Sequence, residues 1–433
     1  MDVASTRAKS SSDLPEESAP LLTPLPRPAV SALPPYVPGA RPAPDERLWK
    51  LSSNENPYPP LPEVAAAISE AAGAVNRYPD MYATEVAAAI AEFVEVNADQ
   101  VVVGNGSVAI LAHILSAFVE AGRGDEVVMP WRSFEAYPIA VDIAGGQAVK
   151  VPLTMAESAE TTATGVTDST TSANLLPNAG GRLDLPAMAA AVTPNTRVML
   201  VCTPNNPTGQ AVRRDELDAL LAAVPPQVLV VIDEAYLEFI TDPAAGGARA
   251  LVEQGAHRQV VESGRSRLTR NDRGRNQGHI NLLHRHPNVV LLRTFSKAYG
   301  LAGLRVGYAV AADAQVAAAI RAVATPFGVS GVAQEAALAS LRPEAQAEMV
   351  ARVDALIAER NRVMTTLRAQ GWELPDSQAN FLWFPFGADT AARAAEARAA
   401  GILARPFTGE GLRVTIGEPA ANNTLLALAA TWR

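Results

Sequence analysis

The sequence predicts an α/β protein in which a large domain with a mostly parallel sheet is followed by a smaller α+β domain. Short runs of β-branched and aliphatic residues recur along the chain and alternate with stretches of helical spacing, as expected for parallel strands covered by helices on both faces. Beyond about residue 311 the pattern changes to long alanine-rich helices and then to two short apolar runs. The change of pattern indicates the second domain.

Each apolar run is a candidate strand, and each stretch with apolar residues three or four positions apart is a candidate helix. The predicted helices of the first half of the chain are 61–72, 84–93, 107–119 and 138–144. The predicted strands of the large domain are 101–103, 127–129, 199–202, 228–232 and 289–292, and those of the small domain are 381–384 and 412–416.

Changes in residue composition along the chain predict the domain boundaries. Residues 1–31 are rich in Ser, Pro and Ala without periodicity and are predicted to be a disordered tail. Residues 32–76 are predicted to be an N-terminal arm that also contributes to the small domain, because their first part is too rich in proline for a helix. The large domain is predicted at 77–310 and the small C-terminal domain at 311–433.

Two stretches of the predicted large domain lack an apolar stripe and are predicted to be surface insertions. The first, about 156–180, is rich in Ser, Thr and Ala, and the second, about 256–281, contains six arginines. The arginines have no interleaved aromatic residues, so no nucleic-acid partner is predicted.

Charge and cysteine content narrow the class of protein further. A net charge of −9 over 433 residues gives no general attraction to nucleic acid or to anionic membranes. The single cysteine, Cys202, excludes an internal disulfide and is typical of a reducing compartment. No apolar stretch approaches the roughly 20 residues of a membrane span. A soluble, cytoplasmic enzyme is therefore expected.

The first chemical signal is the stretch RTFSKAYGLAGLRVGY, residues 293–308, which follows a predicted buried strand. Lys297 lies at the edge where open α/β sheets bind ligands, and burial lowers the pKa of an amine so that it can bond to an aldehyde. Thr294, Ser296 and Arg305 suit a phosphate. A lone lysine after a strand is usually a surface residue, but these four groups together are what pyridoxal phosphate requires.

This stretch resembles the lysine motif of the class I/II, or fold-type I, aminotransferases. It is closest to the histidinol-phosphate aminotransferase group, whose motif reads S/T-x-S-K-x-x-x-L-A-G-L-R-x-G. The resemblance extends from about residue 33 to residue 433 and implies the aspartate aminotransferase-like fold of pyridoxal-phosphate-dependent transferases. It implies that Lys297 carries pyridoxal 5'-phosphate and acts as catalytic base and acid, while Thr294, Ser296 and Arg305 contact the cofactor.

The segment VIDEAY, residues 231–236, carries the second signal. Asp233 closes a hydrophobic strand, where a carboxylate is poorly solvated unless it is paired. The resemblance implies two further catalytic residues. Asp233 pairs with the protonated pyridine nitrogen of the cofactor, and Tyr236 forms a hydrogen bond with its O3′. The competing interpretation, a Walker-B acid, lacks a Walker A loop in the sequence.

The turn GNGS, residues 104–107, joins a predicted strand to a predicted helix and suits a phosphate at the helix N-terminus. It also fits a dinucleotide fingerprint, but that motif expects an acid at the end of the next strand, whereas Asp125 and Glu126 precede it. Within the resemblance, the backbone of Ser107 and Val108 holds the cofactor phosphate.

Further parts follow in the order of the family. The resemblance implies that Phe134 stacks on the pyridine ring and that Asn206, in NNPTG, donates to O3′. A core aromatic and a plain Asn-Pro turn are the alternatives. Arg413, in GLRVT, is implied to bind the substrate α-carboxylate with Asn380 nearby. Tyr58 is implied to reach the cofactor phosphate of a neighbouring subunit, which predicts a homodimer with shared active sites.

The substrate has two main interpretations. Histidinol-phosphate enzymes need an additional cation for the substrate phosphate, and Arg405 could provide it. The segments 33–39, 106–108 and 131–138 instead resemble actinobacterial aromatic (phenylalanine) aminotransferases. The favoured prediction is amino transfer between an aromatic L-amino acid and 2-oxoglutarate, and a decarboxylase of the same fold is a further alternative.

Overall fold

The computed structural model describes residues 26–33, 48–154, 181–246 and 278–432. Most of the predicted tail, residues 34–47 of the predicted arm, the whole first predicted insertion and most of the second lie outside these ranges. The domain boundaries stay a prediction.

In the described part of the chain the strands form three sheets. In chain order they are β1 (Trp49–Lys50), β2 (Val101–Gly104), β3 (Glu126–Trp131), β4 (Gln147–Pro152), β5 (Thr196–Cys202), β6 (Leu229–Asp233), β7 (Val289–Thr294), β8 (Gly307–Ala311), β9 (Phe381–Phe384), β10 (Ile402–Leu403), β11 (Arg405–Phe407) and β12 (Gly411–Thr415). Within the described ranges the largest sheet has seven strands in the order β2-β8-β7-β6-β5-β3-β4.

The large sheet is mostly parallel, as the sequence predicts. Strands β4, β3, β5, β6 and β7 run parallel to one another, and only β8 lies antiparallel to both of its neighbours. Every residue of β6 and β7 is buried. This burial is the reason why the first four residues of each strand are consecutive apolar residues rather than an alternating pattern.

Two strands of this sheet are absent from the sequence prediction. β4 is the edge strand, and of its residues only Val151 is buried, so it has no apolar run. β8, with the sequence GYAVA, is fully buried but begins in the lysine motif, where glycine and alanine weaken the strand signal.

The helices cover both faces of the large sheet and build the outer part of the C-terminal region. They are α1 (Pro28–Ser31), α2 (Pro62–Ala71), α3 (Thr84–Val94), α4 (Ser107–Phe118), α5 (Ala136–Ala144), α6 (Leu185–Ala190), α7 (Arg214–Ala223), α8 (Ile280–Leu283), α9 (Ala314–Ala322), α10 (Gly331–Ser340), α11 (Pro343–Ala369), α12 (Thr390–Ala399) and α13 (Pro419–Ala429). Shorter 3-10 turns lie at Ala72–Ala74, Ala98–Gln100, Leu237–Phe239, Pro243–Ala245, Ala302–Leu304 and Gly387–Asp389.

Helix α1 lies at the end of the predicted disordered tail, residues 1–31, and the disorder of that tail stays a prediction. Pro28 occupies its first turn, where the missing N–H of proline costs no hydrogen bond. Arg27 donates from Nη2 to the carbonyl oxygen of Ile143 at 2.8 Å, at the end of α5. This contact joins the segment that contains α1 to the end of α5.

The smaller sheets connect the segment at residues 49–51 to the C-terminal region. β11, β12 and β9 form an antiparallel sheet, and β1 pairs in parallel with β10. Leu51 continues this pairing, because its N–H donates to Leu403 and its carbonyl oxygen accepts from the N–H of Thr415. Residues 52–54 are thereby held beside β12. In the parts of the chain that the structure covers, no helix has the length and apolar character to cross a membrane.

Candidate active site

A cavity of about 290 Å³ lies where the carboxyl ends of the central parallel strands approach β11 and β12. The last residues of β5, β6 and β7, which are Cys202, Asp233 and Thr294, all line it. Most of the residues predicted for the site also line it: Ser107, Val108, Phe134, Asn206, Asp233, Tyr236, Thr294, Ser296, Lys297, Arg305, Arg405 and Arg413. The fold therefore brings together motifs that are far apart in the sequence.

Lys297 lies three residues beyond the end of β7 and is half-buried. Its Nζ donates to the carbonyl oxygen of Ser53 at 3.1 Å and lies 5.9 Å from the ring centroid of Tyr236. Burial, together with the positive charge of Arg413, lowers the pKa of Lys297 to about 8. Near neutral pH the amine is thus neutral far more often than an ordinary lysine, and a neutral amine is the form that attacks a carbonyl carbon.

We expect the rate at which pyridoxal phosphate bonds to the cofactor-free protein to rise with pH, with a midpoint near pH 8. The sign follows from the lowered pKa of Lys297, because the neutral amine is the reacting form, is half populated at that pKa and approaches full population well above it. Stopped-flow absorbance across a pH series measures it. A midpoint near the ordinary lysine pKa of about 10.4 would contradict the assignment.

Asp233 is buried and held from two sides. Its Oδ2 accepts a hydrogen bond from the hydroxyl of Tyr137 at 2.7 Å, and its Oδ1 accepts one from the N–H of Ala235 at 3.2 Å. Burial raises the pKa of Asp233 to about 6. A carboxylate in this environment is stabilised by a cation placed against it, and the site therefore suits a protonated ring nitrogen.

Tyr137 is a part of the site that the sequence analysis missed. It is buried in α5, three residues after Phe134, and the two rings meet edge to face with centroids 5.6 Å apart. The segment's aromatic content is visible in the sequence, but helical spacing alone makes Tyr137 a core residue. Only the packing of α5 places its hydroxyl against Asp233.

A hydrogen-bond network holds other side chains that line the cavity in place. Arg413 donates from Nη1 to Oδ1 of Asn206 and from Nη2 to the carbonyl oxygen of Ser52, both at 2.6 Å. Asn54 donates from Nδ2 to the hydroxyl oxygen of Tyr236 at 2.9 Å. Burial raises the pKa of Tyr236 to about 12, so its hydroxyl stays protonated and can donate to an oxygen in the cavity.

Residues 52–54 are a second omission of the sequence analysis, which interprets this segment only as an extended arm. Ser52, Ser53 and Asn54 all line the cavity. Asn380 helps to hold this segment in place, because its Nδ2 donates to the carbonyl oxygen of Asn54 at 3.2 Å. Asn380 does not itself line the cavity, and its predicted role near the substrate stays a prediction.

The N-terminus of α4 supplies an anion site. Ser107 is its first residue, and the first N–H groups of a helix have no partner within the helix. Gly106, with φ +83°, precedes it, and a Cβ at Gly106 would lie 2.6 Å from Nη2 of Arg305. Glycine is therefore required for the close approach of the arginine. Thr294 adds its hydroxyl, which donates to Oγ of Ser296 at 2.9 Å.

Arg405 lines the cavity but is already paired. It donates from Nη2 to Oε2 of Glu135 at 2.7 Å, and Glu135 lines the cavity as well. Neither Glu135 nor the neighbouring ring of Phe407 appears among the sequence-predicted residues. Nothing in the local sequence around Glu135 signals its contact with β11, which comes 270 residues later.

Tyr58 does not line this cavity. Its side chain is half exposed, and its ring centroid lies 5.6 Å from the guanidinium carbon of Arg352. The role implied for Tyr58 at a neighbouring subunit stays a prediction.

A buried cluster of charged side chains surrounds Glu234, the residue that follows Asp233. Glu234 accepts from Nε of Arg293 at 2.7 Å and contacts Nδ1 of His279 at 2.7 Å. Burial alone would raise the pKa of Glu234, but the charges and hydrogen bonds of Arg293 and His279 outweigh it and lower the pKa to about 2. The cluster thus ties β7 to the end of β6.

Comparison with known proteins identifies the family. The model of the family described as "Aminotransferase class I and II" matches residues 46–428. The chain belongs to the class I and II aminotransferases. This aminotransferase is 46% identical over 408 residues to the aromatic amino acid aminotransferase of Streptomyces coelicolor, which covers 94% of this chain and 97% of the relative. The corresponding enzyme of Thermobifida fusca is 43% identical and covers 94% and 96% of the two chains.

Solved structures agree on the fold. The histidinol-phosphate aminotransferase of Sinorhizobium meliloti in complex with pyridoxal-5'-phosphate superposes with a TM-score of 0.71 at 24% identity, over 94% of this chain and 98% of that chain. An aspartate aminotransferase mutant of Thermus thermophilus superposes with a TM-score of 0.69 at 22% identity, over 95% and 99%. The predicted aspartate aminotransferase-like fold is confirmed.

The family depends on pyridoxal phosphate, and the residues of this chain fit that cofactor. A half-buried amine of lowered pKa, a buried carboxylate and an anion site at a helix N-terminus line one cavity. These are the groups that suit an aldehyde, a ring nitrogen and a phosphate. The predicted cofactor is thus confirmed together with the family.

Proposed function

We propose that this aminotransferase transfers the amino group between an aromatic L-amino acid of the phenylalanine type and 2-oxoglutarate. The observation that carries the proposal is the end of the cavity beside β11 and β12, where Phe407 supplies an aromatic wall and Glu135 balances the charge of Arg405. Such a wall favours an uncharged aromatic side chain. The names of the relatives from Streptomyces and Thermobifida support the same substrate class.

Pyridoxal phosphate, when bound, supplies an aldehyde and a ring that accepts electrons. In the proposed arrangement Lys297 would hold it covalently, and Asp233 would pair with its ring nitrogen. Tyr236 and Asn206 would hydrogen-bond to its phenolic oxygen, and Phe134 would contact the ring. The residues that would hold its phosphate are Ser107, Val108, Thr294, Ser296 and Arg305.

The remaining roles concern the substrate. Arg413 binds the α-carboxylate with its planar pair of N–H groups and thereby orients the Cα–H bond. Lys297 would take the proton from Cα and later return one, which its lowered pKa makes efficient near neutral pH. The hydroxyl of Tyr137 holds the carboxylate of Asp233 in place.

We also propose that two copies form a homodimer with shared active sites and that the enzyme is cytoplasmic. The half-exposed Tyr58 supports the first proposal, and so do Val75 and Tyr78, which are 72% and 85% exposed. Val75 and Tyr78 line one groove together with Phe327, and a contiguous exposed apolar patch marks an interaction surface. The single cysteine, Cys202, which is buried and unpaired, supports the second.

Steady-state assays with 2-oxoglutarate test the substrate. We expect kcat/KM for phenylalanine to exceed that for histidinol phosphate by at least about 100-fold, because the phosphate would have to displace a carboxylate from Arg405. The opposite ranking would overturn the proposal in favour of the histidinol-phosphate enzyme. Release of carbon dioxide without an oxo acid would instead reveal a decarboxylase.

A further inference from the structure

Two arginines face the cavity from the same side of the small sheet. Arg405 in β11 and Arg413 in β12 are paired residues of an antiparallel register, so their side chains lie on one face. Phe407 shares that face, and its ring centroid lies 5.8 Å from the guanidinium carbon of each arginine. The cavity therefore contains two cationic groups beside one aromatic ring.

The two arginines make different contacts. The described hydrogen bonds of Arg413 go to uncharged oxygens, those of Asn206 and Ser52. Arg405 instead donates to the carboxylate of Glu135. The side chains of this ion pair are 12% and 30% exposed, so solvent screens the pair less than it screens a surface pair.

A second ion pair beside the first keeps Glu135 available to Arg405. Nη1 of Arg132 lies 4.0 Å from Oε1 of Glu135. The hydrogen bonds of Arg132 go to Glu410 instead, from Nε to Oε2 at 2.8 Å and from Nη2 to Oε1. Each of the two arginines thus has a carboxylate of its own, and the four charges sum to zero. This end of the cavity is electrically balanced because Glu135 is there.

We propose that Glu135 is a specificity-determining residue of this enzyme. By neutralising Arg405, Glu135 favours a substrate with an uncharged side chain over one with a distal phosphate, and the distal carboxylate of the proposed co-substrate 2-oxoglutarate binds Arg405 in competition with Glu135. An anionic group at Arg405 competes with Glu135 for the guanidinium, and that competition weakens its binding. The inference rests on the proposed function, in which Arg413 takes the α-carboxylate and the rest of the cavity takes the side chain.

The test compares two inhibitors on the enzyme loaded with pyridoxal phosphate. Glutarate and 3-phenylpropionate share one carboxylate for Arg413 but differ at the far end, which is a carboxylate in the first and a phenyl ring in the second. In Glu135→Gln, which removes the charge and keeps the size, we expect glutarate to bind about tenfold more tightly because Arg405 is freed. The affinity for 3-phenylpropionate should change less than about twofold. Isothermal titration calorimetry gives both dissociation constants.

Two variants act as controls. Adding Arg405→Gln to Glu135→Gln should abolish the gain for glutarate, because the freed cation is then missing. Glu120→Gln removes the carboxylate of an exposed pair with Arg123, outside the cavity, and should change neither affinity. A glutarate to 3-phenylpropionate ratio that is unchanged in Glu135→Gln, or a gain that persists in the double variant, would overturn the proposal.

Other outcomes are separable as well. If circular dichroism shows Glu135→Gln to be unfolded, Arg405→Gln alone carries the test, and it must weaken glutarate without weakening 3-phenylpropionate. The affinity ratio needs no turnover. Absent activity of the wild-type enzyme on phenylalanine would therefore count against the proposed function, and an unchanged ratio would count against the role of Glu135.

Discussion

Replacement of Lys297 by alanine is expected to reduce kcat for phenylalanine and 2-oxoglutarate by about 10⁴-fold or more. The substitution removes both the covalent attachment of the cofactor and the amine that moves the proton at Cα. Among the described residues no other lysine lines the cavity, so no second amine is in place to compensate. Single-turnover absorbance at saturating cofactor separates the proton-transfer step from cofactor loss.

Lys150→Ala is the matched control. Lys150 lies in β4 with its Nζ 4.5 Å from the ring centroid of Trp131 and does not line the cavity. Its loss should leave kcat within about twofold, as is usual for an exposed cation. A Lys297→Ala enzyme with full turnover would refute the assignment of the catalytic amine.

Replacement of Asp233 by asparagine has the second largest expected effect, a fall in kcat/KM of about 10²- to 10⁴-fold. Removing one partner of a buried ion pair leaves the other charge uncompensated, which costs about 3–5 kcal/mol. Asparagine retains the size of the side chain but cannot keep a ring nitrogen protonated. The assay is run near pH 8, above the pKa of about 6 that burial gives Asp233, so that the wild-type carboxylate is ionised.

Tyr137→Phe separates charge from positioning. It removes the hydrogen bond to Asp233 and leaves the carboxylate in place, so a smaller fall of about tenfold is expected. Equal losses in Asp233→Asn and Tyr137→Phe would mean that the charge of Asp233 is not what the reaction uses. The absorbance spectrum of the bound cofactor checks that both variants still bind it.

The central strands and their chemical residues were predictable because each strand is buried on both faces. Burial requires continuous apolar runs, and a polar group directly after such a run, as at Asp233 and Lys297, stands out against it. Strand β4 was not predictable on the same grounds, since an edge strand needs no apolar run. The site residues Ser52, Asn54, Tyr137 and Glu135 were missed because no local pattern distinguishes them from arm, core or surface residues.

The sequence by itself determined which reactive groups exist, in which order they occur, and that a mostly parallel sheet presents several of them at one edge. Only the tertiary structure decided their partners and charge states. Arg413 donates a hydrogen bond to Ser52, which is 361 residues away in the sequence, and Arg405 donates one to Glu135, which is 270 residues away. Such pairings depend on how the small sheet packs over the large one. The pKa values of Lys297 and Asp233 depend on the same packing, because desolvation is a property of the folded environment and not of the residue.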